Sequence, residues 1–253
     1  MTDQSAYCMV SIAPIRSDKK DASEQVSQLV FGEPVTILSA ESPWCKILTY
    51  FDNYEGYVDE KHLLLLTNKE LKRWLDGLHF SLDFSTTIHT PWGKQQLPIG
   101  SYIPWGNPSN FSIGNDQFER EALSSYNKFD SPVEAALSLI NVPYQWGGKT
   151  NCGIDCSGLI QLIFRFFDIN LPRDAYQQAD FGNAISFEDR KRGDVAFFAN
   201  NTGKITHVGI LESNESIIHA SGRVRIDLFN EKGILNCDNE RLTHQLSFIK
   251  RMN

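Results

Sequence analysis

The sequence predicts an α+β fold, with small antiparallel β-barrels in the first half and helices packed on an antiparallel sheet in the second. Three observations carry this. Short β-type runs broken by turn residues fill residues 10–114. A capped helix and a second apolar helix open the second half, between residues 131 and 167. Further β-type runs then follow one another to the end of the chain.

In the first half the runs at 34–39, 44–50 and 55–59 have the spacing of small barrels rather than of a parallel sheet. Residues 69–78 place Leu71, Trp74, Leu75 and Leu78 at helical spacing and read as a helical linker. A second β-rich segment covers 80–114, with turn signals at Pro91-Trp92-Gly93 and Pro98-Ile99-Gly100. The predicted organisation is a barrel over 1–68, a linker with a second barrel over 69–125, and a third domain over 126–253.

That third domain opens on Ser131-Pro132-Val133-Glu134. The order is that of a capping box, with proline at the first helical position and Glu134 reaching back. Leu137 and Ile140 form its apolar stripe and Pro143 is its stop. Residues 157–167 place Leu159, Leu162, Ile163 and Phe166 on one helical face. The strands expected after Gly193-Asp194 are 195–199, 207–211, 216–219, 223–228 and 246–250.

Composition bounds the function. With 41% hydrophobic and 22% charged residues, the chain has material for sizeable cores. A formal net charge of −7 argues against a nucleic-acid partner. The first ten residues lack the basic start and apolar run of a secretory signal, and the apolar runs at 63–66 and 159–167 are too short to span a bilayer. A cytoplasmic monomer with no membrane partner is expected, periplasmic if a leader has been trimmed. Five unevenly spread cysteines do not form a disulfide framework. Cys152 and Cys156 are one Cys-x3-Cys pair, whereas zinc sites bring two such pairs, so neither metal nor other cofactor is expected.

Cys156 stands where an apolar helix begins, and a helix N-terminus favours a thiolate, the reactive form of cysteine. The same N–H groups suit a developing oxyanion. The bland alternative is a buried structural thiol. His207 opens one β-type run and His219 closes the next, across a short turn at Ser213-Asn214-Glu215. Adjacent antiparallel strands would set the imidazoles side by side, with His207 as base and His219 fixing its tautomer. A histidine satisfying a strand-end hydrogen bond is the alternative for His219. His62, His79, His89 and His244 lack such context and are assigned to surface or turns. Asp155 is read as a structural hydrogen-bonding residue and Asp194 as a turn residue.

Four ordered blocks make the second half recognisable. They are Pro143-Tyr-Gln-Trp-Gly-Gly-Lys-Thr-Asn-Cys-Gly-Ile-Asp-Cys-Ser-Gly-Leu, Arg192-Gly-Asp-Val, Thr206-His-Val-Gly-Ile and Ile218-His-Ala-Ser-Gly. Together they strongly resemble the NlpC family of papain-like cell-wall cysteine peptidases, over residues 126–253. The resemblance implies a papain-like domain, a Cys156-His207-His219 triad, and Tyr144 lining the oxyanion side.

The likeness narrows through Ala13-Pro-Ile-Arg, residues 23–33 and Asn53-Tyr-Glu-Gly-Tyr-Val. These resemble the bacterial SH3-like domain of γ-D-glutamyl-L-diamino acid endopeptidases (dipeptidyl-peptidase VI type). Such enzymes cut L-Ala-γ-D-Glu from the diamino acid and require a free amino-terminal alanine. By that resemblance Asp174 is an acidic group for the ammonium, against the alternative of a helix cap. Glu24 and Tyr54 match the SH3-side contributors, with Glu33 as competing carboxylate, and Ser157 would bind substrate backbone. An N-acylated substrate would leave a buried carboxylate unpaired, which discriminates strongly. The implied function is cleavage of short peptidoglycan stem peptides in cell-wall recycling. An endopeptidase on intact muramyl-linked stems and a non-catalytic wall-peptide-binding module are the alternatives.

Overall fold

The computed structural model describes residues 4–106, 108–121 and 128–252. The chain divides into two compact units, Met1–Lys128 and Phe129–Asn253. The expected boundary at 125/126 lies outside the described residues.

In the first unit one antiparallel sheet runs in the spatial order Gln25–Val30, Ile12–Arg16, Glu55–Asp59, Trp44–Thr49, Pro34–Glu41, Gln4–Cys8 and Leu63–Leu66. Period-two alternation decides which side chains turn inward: Cys45, Ile47 and Thr49 are buried, while Trp44, Lys46 and Leu48 are less so. Cys45 and Ile47 join Ala13, Ile15, Leu29, Val35 and Val58 in the sheet's core. The helix Asn68–Gly77 follows, opened by a Thr67–Glu70 capping box. Its buried residue is Trp74, whose indole N–H donates to the Gly32 carbonyl at 2.8 Å.

The second β-rich segment forms a sheet ordered Gly93–Pro98, Ser85–Thr90, Asp116–Arg120 and Asn110–Ile113, and a separate pair, Leu78–Phe80 with Tyr102–Pro104. The two segments share a core. Tyr7 and Phe31 from the first pack in one cluster with Ile88, Leu97, Tyr102 and Phe118 from the second, and Phe31 meets Phe118 edge-on at 5.4 Å.

The second unit opens on the helix Pro132–Ser138. Ser131 Oγ accepts from the Glu134 N–H at 3.3 Å, while the Glu134 carboxylate reaches one residue further back, to the Asp130 N–H at 3.1 Å. The helix ends before Pro143, through a turn at Leu139–Val142. The second helix is Cys156–Arg165, with Leu159, Ile160 and Ile163 fully buried. Both helices pack against the strand Ile205–Leu211.

The sheet order is Asn183–Ile185, Leu242–Arg251, Val195–Ala199, Ile205–Leu211, Ser216–Ser221, Arg223–Asn230 and Gly233–Leu235, antiparallel throughout. Leu242–Arg251 also pairs with Gly233–Leu235, which joins the two sides of the sheet into a ring. Ala196, Phe198, Leu211, Ile217, Phe229, Ile234 and Ile249 form a core cluster on it. Asp194 does more than turn the chain. Buried, it holds Arg251 through two oxygens, at 2.7 and 2.9 Å, and so ties the start of one central strand to the end of its neighbour.

Candidate active site

One buried carboxylate pins the loop that enters the helix Cys156–Arg165. Asp155 caps that helix, accepting from the Gly158 N–H at 2.7 Å and, through its other oxygen, from the Gly147 N–H at 2.9 Å. The Arg173 guanidinium closes on the same two oxygens at 3.0 and 2.6 Å, and reaches Ser157 Oγ at 2.9 Å and the Gly148 carbonyl at 3.2 Å. Arg173 is 1% exposed, so this pair persists because almost every donor and acceptor in it is matched. A Cβ at Gly158 would run into the Gly148 carbonyl, so only glycine lets the loop approach the helix this closely.

Cys156 is thereby the first helical residue, buried against the strand Ile205–Leu211. That strand pairs with Ser216–Ser221 only from Gly209 onward. Ahead of that point, the Val208 N–H is directed at the Cys156 sulfur, as is the Ser157 N–H. Burial opposes the thiolate that the helix start favours. Burial pushes the Cys156 thiol up to about 12 and the Asp155 carboxylate adds to this, against the Val208 N–H, Arg173 and the Ser157 N–H. Removing an anion from water costs more than a helix end returns.

The histidines follow from sheet register. His219 stands directly opposite Gly209, and His207 lies two residues before Gly209, on the same face. Such diagonal neighbours are within reach of ring side chains. His207 Nε2 and His219 Nδ1 are 2.8 Å apart with the rings at 89°. Gly209 makes room: a Cβ there would lie 3.0 Å from His219 Cβ and 2.9 Å from the Ile218 carbonyl.

The same diagonal step recurs one strand further. Arg225 is opposite His219, and Asp227, two residues on, accepts from His219 Nε2 at 3.0 Å. Its other oxygen takes Arg225 Nη2 at 2.8 Å and the Cys237 N–H at 2.9 Å. Burial alone would raise the Asp227 carboxyl, but the hydrogen bonds from His219, Cys237 and Arg225 outweigh it and hold it at about 2. Burial, with His244 and His219 adding, pushes the His207 ring well below its ordinary value, leaving a neutral base.

Residues 141–239 match the NlpC/P60 family, and residues 15–63 match the bacterial dipeptidyl-peptidase Sh3 domain. The C-terminal unit is an NlpC/P60 domain. The chain is 28% identical to dipeptidyl-peptidase 6 of Lysinibacillus sphaericus, over 85% of this chain and 87% of that one. It is 26% identical to a γ-D-glutamyl-L-lysine dipeptidyl-peptidase of Bacillus cereus, over 79% of this chain and 68% of that one. Among solved structures it is similar to an NlpC/P60 family protein from Bacillus cereus, with a TM-score of 0.79 and 18% identity over 98% of this chain and 99% of that chain, a likeness of fold. The protein is a cysteine peptidase with an SH3-like domain ahead of its NlpC/P60 domain.

Within the NlpC/P60 domain the other expected residues fall as follows. The Tyr144 N–H donates to the Gly222 carbonyl at 3.0 Å, and Tyr144 bridges to Ile154 just ahead of Asp155. Burial, then the charges of Cys156 and Asp155, raise its phenol, so it remains a donor. The Ser157 hydroxyl donates to Asp155 at 3.2 Å and accepts from Arg173. Asp174 precedes the short helix Ala175–Gln178, and its N–H donates to Gln177 Oε1 at 3.2 Å. Glu24 and Tyr54 lie in the first unit: Glu24 is exposed, and the Tyr54 N–H donates to Thr49 Oγ1 at 2.7 Å. Glu33 is buried there and accepts from the Val30 N–H at 3.0 Å.

Three residues of the domain were missed as site members. Asp227 and Arg173 carry no motif that singles them out in the sequence. His244 is no bystander: its ring stacks on His207 at 3.9 Å and 22°. The alternation in Arg225-Ile226-Asp227 is a signal for Asp227, since it turns the polar face toward the His219 side.

Proposed function

We propose that the protein hydrolyses the γ-D-Glu–diamino acid bond of short peptidoglycan stem peptides bearing a free amino-terminal L-Ala, in the recycling of cell-wall peptides. The observation that carries this reading is the extent of the likeness to dipeptidyl-peptidase 6, which takes in both the SH3-like and the NlpC/P60 domains. A relative named γ-D-glutamyl-L-lysine dipeptidyl-peptidase supports the scissile bond.

The chemistry follows from the hydrogen-bond chain. An ionised Asp227 only accepts, so His219 Nε2 carries a proton and His219 Nδ1 receives the proton of His207 Nε2. His207 Nδ1 is left with the lone pair. It takes the Cys156 proton as the sulfur attacks the γ-carbonyl, and returns it to the leaving amine. Water, deprotonated by the same nitrogen, then cleaves the thioester. Burial raises the thiol, which favours proton transfer to His207 in step with attack. Tyr144 and the first-turn N–H of the helix stabilise the oxyanion. Asp174 receives the substrate ammonium, Ser157 contacts the peptide backbone, and Glu24 and Tyr54 contribute to amine recognition. These assignments rest on the family resemblance.

The test is mass spectrometry of L-Ala-γ-D-Glu-diamino acid tripeptide beside its N-acetylated twin. The reading expects release of the diamino acid from the first alone. Equal cleavage of both would remove the free-amine requirement, and cleavage of neither would favour a binding module.

A further inference from the structure

Three imidazoles meet at one end of the NlpC/P60 sheet, one more than the proposed reaction uses. His244, from the strand Leu242–Arg251, stacks on His207 and stands edge-on to His219 at 5.7 Å and 79°. One ring nitrogen of each of His207, His219 and His244 lies within 4.8 Å of the other two. We propose that these three residues form a binding site for a zinc-class divalent ion, and that its occupation switches the peptidase off. The inhibitory consequence rests on the role proposed for His207; the binding itself does not.

The donor set is all imidazole, which suits zinc and its neighbours in the first transition row and disfavours magnesium and calcium, which take oxygen. Zinc–nitrogen bonds of about 2.0–2.1 Å in a tetrahedron place donors roughly 3.3 Å apart. Because an imidazole binds a metal in its own ring plane, closure requires the His244 ring to leave its stack on His207 and turn a nitrogen toward the other two. That rotation falls to the half-buried His244, since His207 and His219 are buried.

The outer partners are already in place. His219 turns its other nitrogen to Asp227, itself held by Arg225 and the Cys237 N–H. This is the carboxylate–histidine support that orients metal ligands and raises their basicity. His244 Nδ1 is 3.0 Å from Thr243 Oγ1, which leaves Nε2 for the ion. An open cleft lined by Phe198, Ala199, Asn200, Thr206, Thr243 and His244 gives the entry path and room for a water as fourth ligand.

An ion on His207 Nε2 shifts that ring's proton to Nδ1, with no net gain or loss. Nδ1 is the atom that must accept the thiol proton, so the base is lost while its ring stays in place.

The test uses the full-length Cys156→Ala protein, which removes the thiol as a competing ligand. Zn2+ is titrated by calorimetry and Co2+ by visible absorption. One equivalent should bind, with micromolar affinity or tighter and a tetrahedral Co2+ spectrum. His244→Ala and His244→Gln, added to that background and checked for folding by circular dichroism, should weaken binding by about tenfold or more. In the unsubstituted protein, Zn2+ should inhibit tripeptide cleavage reversibly on chelation. Absence of saturable binding in Cys156→Ala, or equal affinity with and without His244, overturns the site. Binding as expected in a protein that cleaves no tripeptide leaves the site standing and removes the proposed function instead.

Discussion

His207 Nε2 lies 2.8 Å from His219 Nδ1, and His219 Nε2 lies 3.0 Å from Asp227, so three side chains on three consecutive strands form one directed chain of hydrogen bonds. Its direction is set at the far end, because an ionised carboxylate can only accept. The nearest triad residue to Asp227 is thus a histidine, and its influence on Cys156 passes through two tautomers.

Asp227→Asn tests that direction. An amide can donate to His219 Nε2, which reverses both rings and places a proton on His207 Nδ1. We expect kcat to fall by about 10²–10⁴ with little change in KM. Steady-state kinetics and the imidazole nitrogen shifts in NMR check it. An unchanged tautomer in a fully active variant would contradict it.

Gly209→Ala should separate fold from function. The added methyl meets Ile217 Cδ1 at 2.8 Å, the Ile218 carbonyl at 2.9 Å and His219 Cβ at 3.0 Å, so the segment carrying His219 must shift relative to His207. We expect a loss of kcat far larger than the accompanying change in melting temperature.

Arg173→Ala leaves the Asp155 carboxylate buried without its ionic partner. Destabilisation of about 3–5 kcal/mol is expected, read from the urea midpoint. A change within experimental error would mean that the loop holds without the pair.

Cys156 alkylation reports its protonation. With the thiol pushed up to about 12 and His207 held low, both groups are neutral at pH 7. Iodoacetamide should react slowly near neutrality and faster with each rise in pH. A fast plateau between about pH 5 and 7 would instead reveal a thiolate–imidazolium pair.

Stability should fall in acid. Burial, then His219, lowers His244 to about 4, against a small opposing pull from Asp227, and burial lowers His207 well below its ordinary value too. Below the ordinary histidine value of 6.5 the unfolded chain binds protons that the folded one does not, so stability rises with pH. It should be lost as pH falls from 6.5 toward 4, and His244→Phe should flatten that slope. Asp227 acts in the same sense at lower pH, its contribution vanishing as pH falls through about 2.

Local signals in the sequence were legible where chemistry and structure share a segment. Asp155-Cys156-Ser157 sits at a helix start whose apolar face can be counted, and His207 and His219 open and close adjacent β-type runs. Asp227 was hidden because its contact depends on register across a third strand, and His244 because its strand arrives from the end of the chain. The neutral Cys156 was illegible for another reason: a helix end can be read from spacing, but the burial that outweighs it belongs to the packed domain. In the first unit the runs marked strands, yet nothing local says that Phe31 and Phe118 share a core.

The most direct measurement is tripeptide hydrolysis followed by mass spectrometry, with the unsubstituted protein beside Cys156→Ala. The account predicts release of the diamino acid by the former only, with acid-quenched protein carrying an L-Ala-γ-D-glutamyl adduct on Cys156. Release by Cys156→Ala at an undiminished rate would contradict it.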